Sequence, residues 1–185
     1  MYIDTTVYRE RPKDKRSERE ERTYDVLEKL GIAFERVDHD AAATISDCGN
    51  IDEILGIKIC KNLFLCNSQK TKFYLLMMPG DKTFRTKELS HQIGSSRLSF
   101  APESYMEEYL DLCPGSVSIL GLMNDKNHMV NLLVDEDVLK EEYVGCHPCM
   151  NTTSLKIKTS DITGKFLEYT GHFMTVVKLT GNSDA

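Results

Sequence analysis

Apolar positions along the chain change their spacing several times, and each change marks an element. Ser17 followed by Glu20 reads as a capping box. After it Tyr24, Leu27 and Leu30 recur at helical spacing until Gly31, which suits a left-handed helix terminus. Phe34 to Val37 predicts a short strand and Ile51 to Leu55 a short helix. Leu63 to Cys66 and Phe73 to Met78 flank the polar turn Asn67 to Lys70, the pattern of a hairpin. Thr86 to Ile93 and Glu103 to Leu110 read as helices, the second behind Pro102. Val117 to Leu120, Val130 to Val134 and Tyr143 to Cys146 are strand-like, with a short helix from Asp135 to Leu139. Leu155 to Ile157 and Met174 to Lys178 are strands on either side of a helix from Ser160 or Asp161 to Tyr169. Strands and helices interleave irregularly with a hairpin among them. The expected fold class is α+β (mixed α/β) on a mixed sheet, rather than doubly wound.

No repeat, linker or break in composition divides the 185 residues, a length that fits one domain with a substantial core. Residues 1–15 are a polar arm, expected to be loosely held, and residues 16–180 form the expected single domain. The longest apolar run, Tyr74 to Pro79, is far short of the roughly 20 residues of a membrane helix. The amino terminus is charged from Asp4 onward, unlike a signal peptide, so a cytoplasmic protein is expected. In that compartment the six cysteines read as buried thiols rather than disulfides. A net charge of −6 counts against a protein that coats nucleic acid by charge alone. It leaves room for local basic patches, of which Arg9 to Arg22, Lys58/Lys61, Lys70/Lys72, Lys82/Arg85/Lys87 and Lys156/Lys158 are the candidates.

Four constellations carry candidate chemistry. Lys61-Asn62 opens the apolar run Leu63-Phe64-Leu65. The lysine either marks where a strand leaves solvent or places a compact cation with three donors in a pocket, to hold a phosphate or polarise a carbonyl. Gly115-Ser116-Val117-Ser118, with Gly121 beyond, is either a tight turn entering a strand or a segment whose backbone approaches a ligand closely. It is not a nucleophile elbow, because Gly115 directly precedes Ser116 and Gly-x-Ser-x-Gly is absent. Cys146-His147-Pro148-Cys149 allows a thiol–disulfide pair, half of a metal site, or a histidine held in a turn. It lies late in the chain before a loop, and Cys60 with Cys66 is a poor second pair for zinc. Asp38-His39 with Thr44, taken alone, reads as a loop with turn-forming residues.

In their order and context these residues resemble the YbaK/ProX editing-domain family, freestanding relatives of the insertion domain in bacterial prolyl-tRNA synthetases. The matching residues are His39 with Thr44, Lys61-Asn62-Leu63-Phe64-Leu65, Gly115-Ser116-Val117-Ser118 with Gly121, and Gly145-Cys146-His147-Pro148 with Asn151. The resemblance spans Ser17 to Lys178 and is strongest to the ProX/PrdX branch, which clears alanine from tRNA specific for proline. It implies a mostly antiparallel mixed sheet with surrounding helices and a site in the cleft between them. It implies Lys61, Gly115 and His147 as the catalytic set, with Lys61 at the terminal adenosine. His39, Thr44, Asn62, Ser116, Val117, Ser118, Gly121 and Asn151 would bind the substrate. No metal and no cofactor are implied. The implied partners are the acceptor end of a mischarged tRNA and, transiently, prolyl-tRNA synthetase, for a monomer with no membrane association. One departure stands out: Ile119 replaces a proline usual in the family.

An aminoacyl-tRNA is an activated ester, so a positioned water and a stabilised oxyanion suffice for its hydrolysis. The Gly115 to Gly121 amides are the candidate stabilisers, with the 2′-hydroxyl of the terminal adenosine as a possible helper. His147 shapes the pocket, positions the α-amino group or serves as base. Rival readings are a deacylase for cysteine or serine, a non-catalytic tRNA-binding module, and a thiol oxidoreductase on Cys146 and Cys149.

Overall fold

A computed structural model describes residues 2–41 and 49–181; Thr44 of the predicted site lies outside the described residues. Helix α1 (Glu18–Lys29) starts as the capping box requires, the Ser17 hydroxyl accepting the Glu20 amide, and Gly31 follows it at φ +62°. Strand β1 (Phe34–Asp38) and helix α2 (Gly49–Leu55) lead to the hairpin β2 (Cys60–Asn67) and β3 (Phe73–Pro79). The Asn67 side chain stitches its turn by accepting the amides of Thr71 and Lys72. Helix α3 (Thr86–Gln92), strand β4 (Leu98–Phe100) and helix α4 (Glu103–Leu110) come next, then a 3-10 turn over Ile119–Asn124. The second half holds β5 (Val130–Asp135), β6 (Tyr143–Cys146), β7 (Thr153–Lys158), a helical stretch with a π turn at Ile162–Phe166, and β8 (Met174–Val177).

The strands form two sheets. One has the order β1-β7-β6 and is antiparallel throughout; the other has the order β4-β2-β3-β5-β8. In the second, β3–β5 and β5–β8 are parallel while the β2 pairings are antiparallel, so the sheet is mixed as expected. It is buried on both faces, which strand alternation makes visible. Phe73, Leu75 and Met77 enter the main core with Tyr24 and Leu27 of α1, while Tyr74, Leu76 and Met78 pack under Leu89 of α3. A third cluster, Val37, Ile51, Leu55 and Ile59, seats α2.

Two expectations need correction, and one element was not expected. Val117 to Leu120 is not a strand: Ser118 caps the 3-10 turn by accepting the Leu120 amide, a local bond that outcompetes ladder pairing. The short strand β4 was not anticipated. The amino-terminal arm is strapped down rather than loose, with Ile3 bridging His39 and Tyr8 bridging Arg36 along β1. Arg11 of the arm also reaches Glu21, Asp25 and Glu28 of α1.

Candidate active site

The two sheets meet at one point, a parallel bridge between Ile59 and Gly145. A side chain at 145 would have no room: a Cβ there would stand 2.7 Å from Ile57 Cδ1 and 2.9 Å from Ile59 Cγ1. Glycine therefore permits the approach. Two residues beyond the bridge on one strand is Lys61, and two residues beyond it on the other is His147. Lys61 lies in β2, and His147 is the first residue after β6.

His147 is half-buried and held from two sides. Its carbonyl accepts the Ser118 hydroxyl at 2.7 Å, and its Nδ1 lies 2.8 Å from the Thr153 carbonyl. A carbonyl only accepts, so Nδ1 carries the proton and Nε2 keeps its lone pair. Burial pushes the His147 pKa below its ordinary value, outweighing the Thr153 bond, so the ring is neutral at pH 7. The ring of His39 lies 6.1 Å away, centroid to centroid. Both nitrogens of His39 are engaged: Nδ1 donates to the Asp40 carbonyl at 2.7 Å and Nε2 accepts the Ser154 hydroxyl at 2.9 Å. His39 is thus a fixed wall, and His147 is the ring with basic capacity.

A charged layer backs this pair. The Thr153 hydroxyl is 2.9 Å from Asp38 Oδ1 and 3.3 Å from Glu20 Oε1, and Asp38 is clamped by Arg16 and Arg36. Burial raises the Asp38 pKa, but the Arg36 and Thr153 bonds outweigh it and hold the carboxylate below its ordinary range. Glu20 moves the other way, raised by burial.

The glycine loop reaches His147 through Ser118 and lies against Asn151 at Gly115. Gly115 has φ +84°, and a Cβ on it would come within 3.3 Å of Asn151 Nδ2. The other predicted loop residues divide by task. Ser116 bonds its own turn, its hydroxyl donating to the Cys113 carbonyl and accepting the Cys113 amide. Ser118 fixes His147, and Val117 is half-buried against the main core. Gly121 is buried where a Cβ would collide with Leu112 Cδ1 at 2.7 Å, which is a packing reason for glycine. Ile119 opens the 3-10 turn, a first-turn position that also suits proline, and its side chain enters the main core.

Lys61 turns away from the histidines. On β2, Phe64 and Cys66 point into the main core and Leu63 and Leu65 to the opposite face; alternation puts Lys61 with the latter. Its ammonium donates to the Lys82 carbonyl at 2.6 Å and lines a hollow with Leu63, Phe84, Arg85, Thr86, Lys87 and Phe100. Asn62 takes the other face, where its Oδ1 is buried without a hydrogen-bond partner.

The thiols around His147 are poor nucleophiles. Cys146 and Cys149 are fully buried, and burial pushes both pKa values up, that of Cys149 to about 12. Among the described residues no group of three or more His, Cys, Asp or Glu is placed to hold a metal ion, and no helix is long and apolar enough to cross a membrane.

Sequence reasoning missed Thr153 and Ser154 as supports and read Asp38 only as a loop neighbour of His39. The available signal was the polar run Asn151-Thr152-Thr153-Ser154 leading into an apolar strand directly after His147.

The mixed-sheet α+β fold thus brings together His39 and His147, two histidines whose pKa values burial lowers, with Ser118 of the glycine loop bonded to the His147 carbonyl and no metal-ligand cluster among the described residues. The profile of the aminoacyl-tRNA editing domain matches residues 39–164, and the chain belongs to that family, as an aminoacyl-tRNA deacylase. The prolyl-tRNA editing protein ProX of Acetoanaerobium sticklandii is 31% identical over 153 residues, covering 83% of this chain and 93% of ProX. The mouse prolyl-tRNA synthetase associated domain-containing protein 1 is 31% identical over 148 residues, covering 77% of this chain and 86% of the mouse protein. A crystal structure of a candidate trans-editing enzyme for prolyl tRNA synthetase superposes with a TM-score of 0.66 at 19% identity, covering 89% of this chain and 99% of that one, and shows the shared fold.

Proposed function

We propose that the chain hydrolyses the ester of Ala-tRNA(Pro) in trans, within one editing domain over residues 16–180. The observation that carries the reading is the neutral His147, anchored through Thr153 and through Ser118 of the glycine loop. Its Nε2 accepts a proton from the attacking water, or orders that water, while the oxyanion is met by loop amides. Ser116, Leu120 and Gly121 already donate within the loop, so the amides of Gly115, Val117, Ser118 and Ile119 are the proposed donors. Lys61 anchors the RNA end by charge. His39, Asn62, Ser118 and Asn151 build the pocket wall, and Thr44 belongs to the same proposed set.

The relatives support proline as the tRNA identity, since ProX and the mouse protein both carry prolyl-tRNA in their names. The need for a second site is energetic: a synthetase pocket rejects one missing methylene by only ~1–3 kcal/mol, and a smaller sieve removes what passes. This reading implies a monomer working in the cytoplasm, with transient contact to prolyl-tRNA synthetase. The test is a panel of Ala-, Cys-, Ser- and Pro-tRNA(Pro). Hydrolysis of the alanyl ester first and the prolyl ester least is expected; preference for cysteine or serine would reassign the amino acid, and no hydrolysis would sink the reading.

A further inference from the structure

We propose that Glu20 is a positioning residue for His147: a carboxylic acid kept protonated inside the fold, whose hydrogen sets the Thr153 hydroxyl and, through the Thr153 backbone, the imidazole. The use of that imidazole in hydrolysis rests on the editing reading above.

One hydroxyl stands between two carboxyl groups. Thr153 Oγ1 is 2.9 Å from Asp38 Oδ1 and 3.3 Å from Glu20 Oε1, and a hydroxyl has a single hydrogen to give. Asp38 is the ionised member of the pair. Arg16 and Arg36 both hold its Oδ2, at 2.8 Å and 2.6 Å, which leaves Oδ1 to take the Thr153 hydrogen. The contact between Thr153 and Glu20 then needs a hydrogen from the other side, and a protonated Glu20 supplies it.

The surroundings of Glu20 agree. Its residue is 2% exposed. Tyr24 on the same helix donates to Glu20 Oε1 at 3.3 Å, a bond that an acid oxygen also accepts. Arg16 faces Glu20 from the segment before α1, but its ion pairs go to Asp14 and Asp38; Arg36 on β1 is likewise engaged with Asp38. Burial first, and the Asp38 charge besides, favour the neutral acid against Arg16, Thr153 and Tyr24, and the balance raises the Glu20 pKa.

The link to the histidine is backbone. Thr153 is fully buried at the start of β7, opposite Asp38 in the ladder, and its carbonyl takes the Nδ1 hydrogen of His147 at 2.8 Å. Ser154, the next residue, holds His39. An ionised Glu20 would set two anions against one hydroxyl hydrogen, and a displaced Thr153 would carry the acceptor of His147 with it. A misplacement of about 1 Å is enough to cost about 10²-fold in rate.

The test compares the full wild-type chain with Glu20→Gln, which keeps the shape and a hydrogen to donate but cannot ionise, and with Glu20→Ala. Carbon NMR of labelled glutamate, with the signal assigned by its loss in Glu20→Gln, is expected to show the Glu20 carboxyl protonated at pH 7. Nitrogen NMR of labelled histidine is expected to show His147 as the Nδ1–H tautomer in wild type and Glu20→Gln, and as a mixture of tautomers in Glu20→Ala. In deacylation Glu20→Ala is expected to lower kcat by about tenfold to a hundredfold with little change in KM, and Glu20→Gln to restore most of it. The fall in kcat that follows ionisation of Glu20 at alkaline pH should be absent from Glu20→Gln. An ionised Glu20 at pH 7, or a His147 tautomer and kcat untouched in Glu20→Ala, would overturn the proposal. The wild-type carboxyl signal decides the protonation even where Glu20→Ala does not fold. NMR needs no substrate, so the two readings fail separately: the expected tautomers without hydrolysis of any mischarged tRNA remove the editing reading alone.

Discussion

His39 and His147 stand 6.1 Å apart with opposite hydrogen-bonding states: His39 has both nitrogens engaged, whereas Thr153 fixes only Nδ1 of His147. Burial lowers both pKa values below the ordinary 6.5. The acid limb of a kcat–pH profile for deacylation is therefore expected below pH 6.5, since His147 stays neutral to lower pH than a free imidazole. The same shifts act on stability. Between the lowered folded values and 6.5 the unfolded chain binds more protons, so stability is full above pH 6.5 and falls as pH drops through that window. Urea midpoints measured from pH 8 to pH 5 check the sign; a midpoint that rises on acidification contradicts it.

Ser118 connects the glycine loop to His147. Ser118→Ala strips a donor from the His147 carbonyl and an acceptor from the Leu120 amide, both at a fully buried residue. A loss of ~1–3 kcal/mol is expected in urea unfolding. Deacylation kinetics should show the larger fall in kcat, because the change acts on the setting of the imidazole.

Gly145 is where the two sheets touch. Gly145→Ala places a methyl group against Ile57 and Ile59 backbone and side chain, and overpacking of this kind costs ~1–3 kcal/mol. The prediction includes function: spreading the bridge moves Lys61 away from His147, so activity falls beyond the stability loss. Gly145→Ala paired with Ile57→Val, which removes the Cδ1 methyl group nearest the added Cβ, is expected to recover part of both.

Cys149→Ala is expected to leave deacylation within about twofold, because a fully buried thiol with its pKa near 12 has no chemical part in ester hydrolysis. Thiol titration of the native protein should leave Cys146 and Cys149 unreacted. Rapid reaction of both, with loss of activity in the variant, would return the oxidoreductase reading.

Much of this site was legible in the chain because its parts are local. The capping box at Ser17, the β2–β3 hairpin, and the turn carrying His147 each announce themselves within a few residues. The failures share a cause, which is competition between local bonds and long-range packing. Val117 to Leu120 has strand composition, yet the Ser118 hydroxyl diverts the backbone into a 3-10 turn. The arm before Ser17 looks like a solvated tail, yet Tyr8 pairs with Arg36, a contact no local pattern encodes. Lys61 was legible as a site residue but not its direction, since the face it takes depends on which strand neighbours bury Phe64 and which bury Leu65. Thr153 and Ser154 support two histidines from one strand, and that role exists only once β1 and β7 pair.

The most direct measurement is single-turnover deacylation of Ala-tRNA(Pro) by the wild-type chain and His147→Ala side by side. The account predicts hydrolysis by the wild type well above the spontaneous rate and a drop in rate of about 10²-fold or more in the variant, the scale of a lost general base. Equal rates for the two proteins, or no hydrolysis by the wild type, would contradict it.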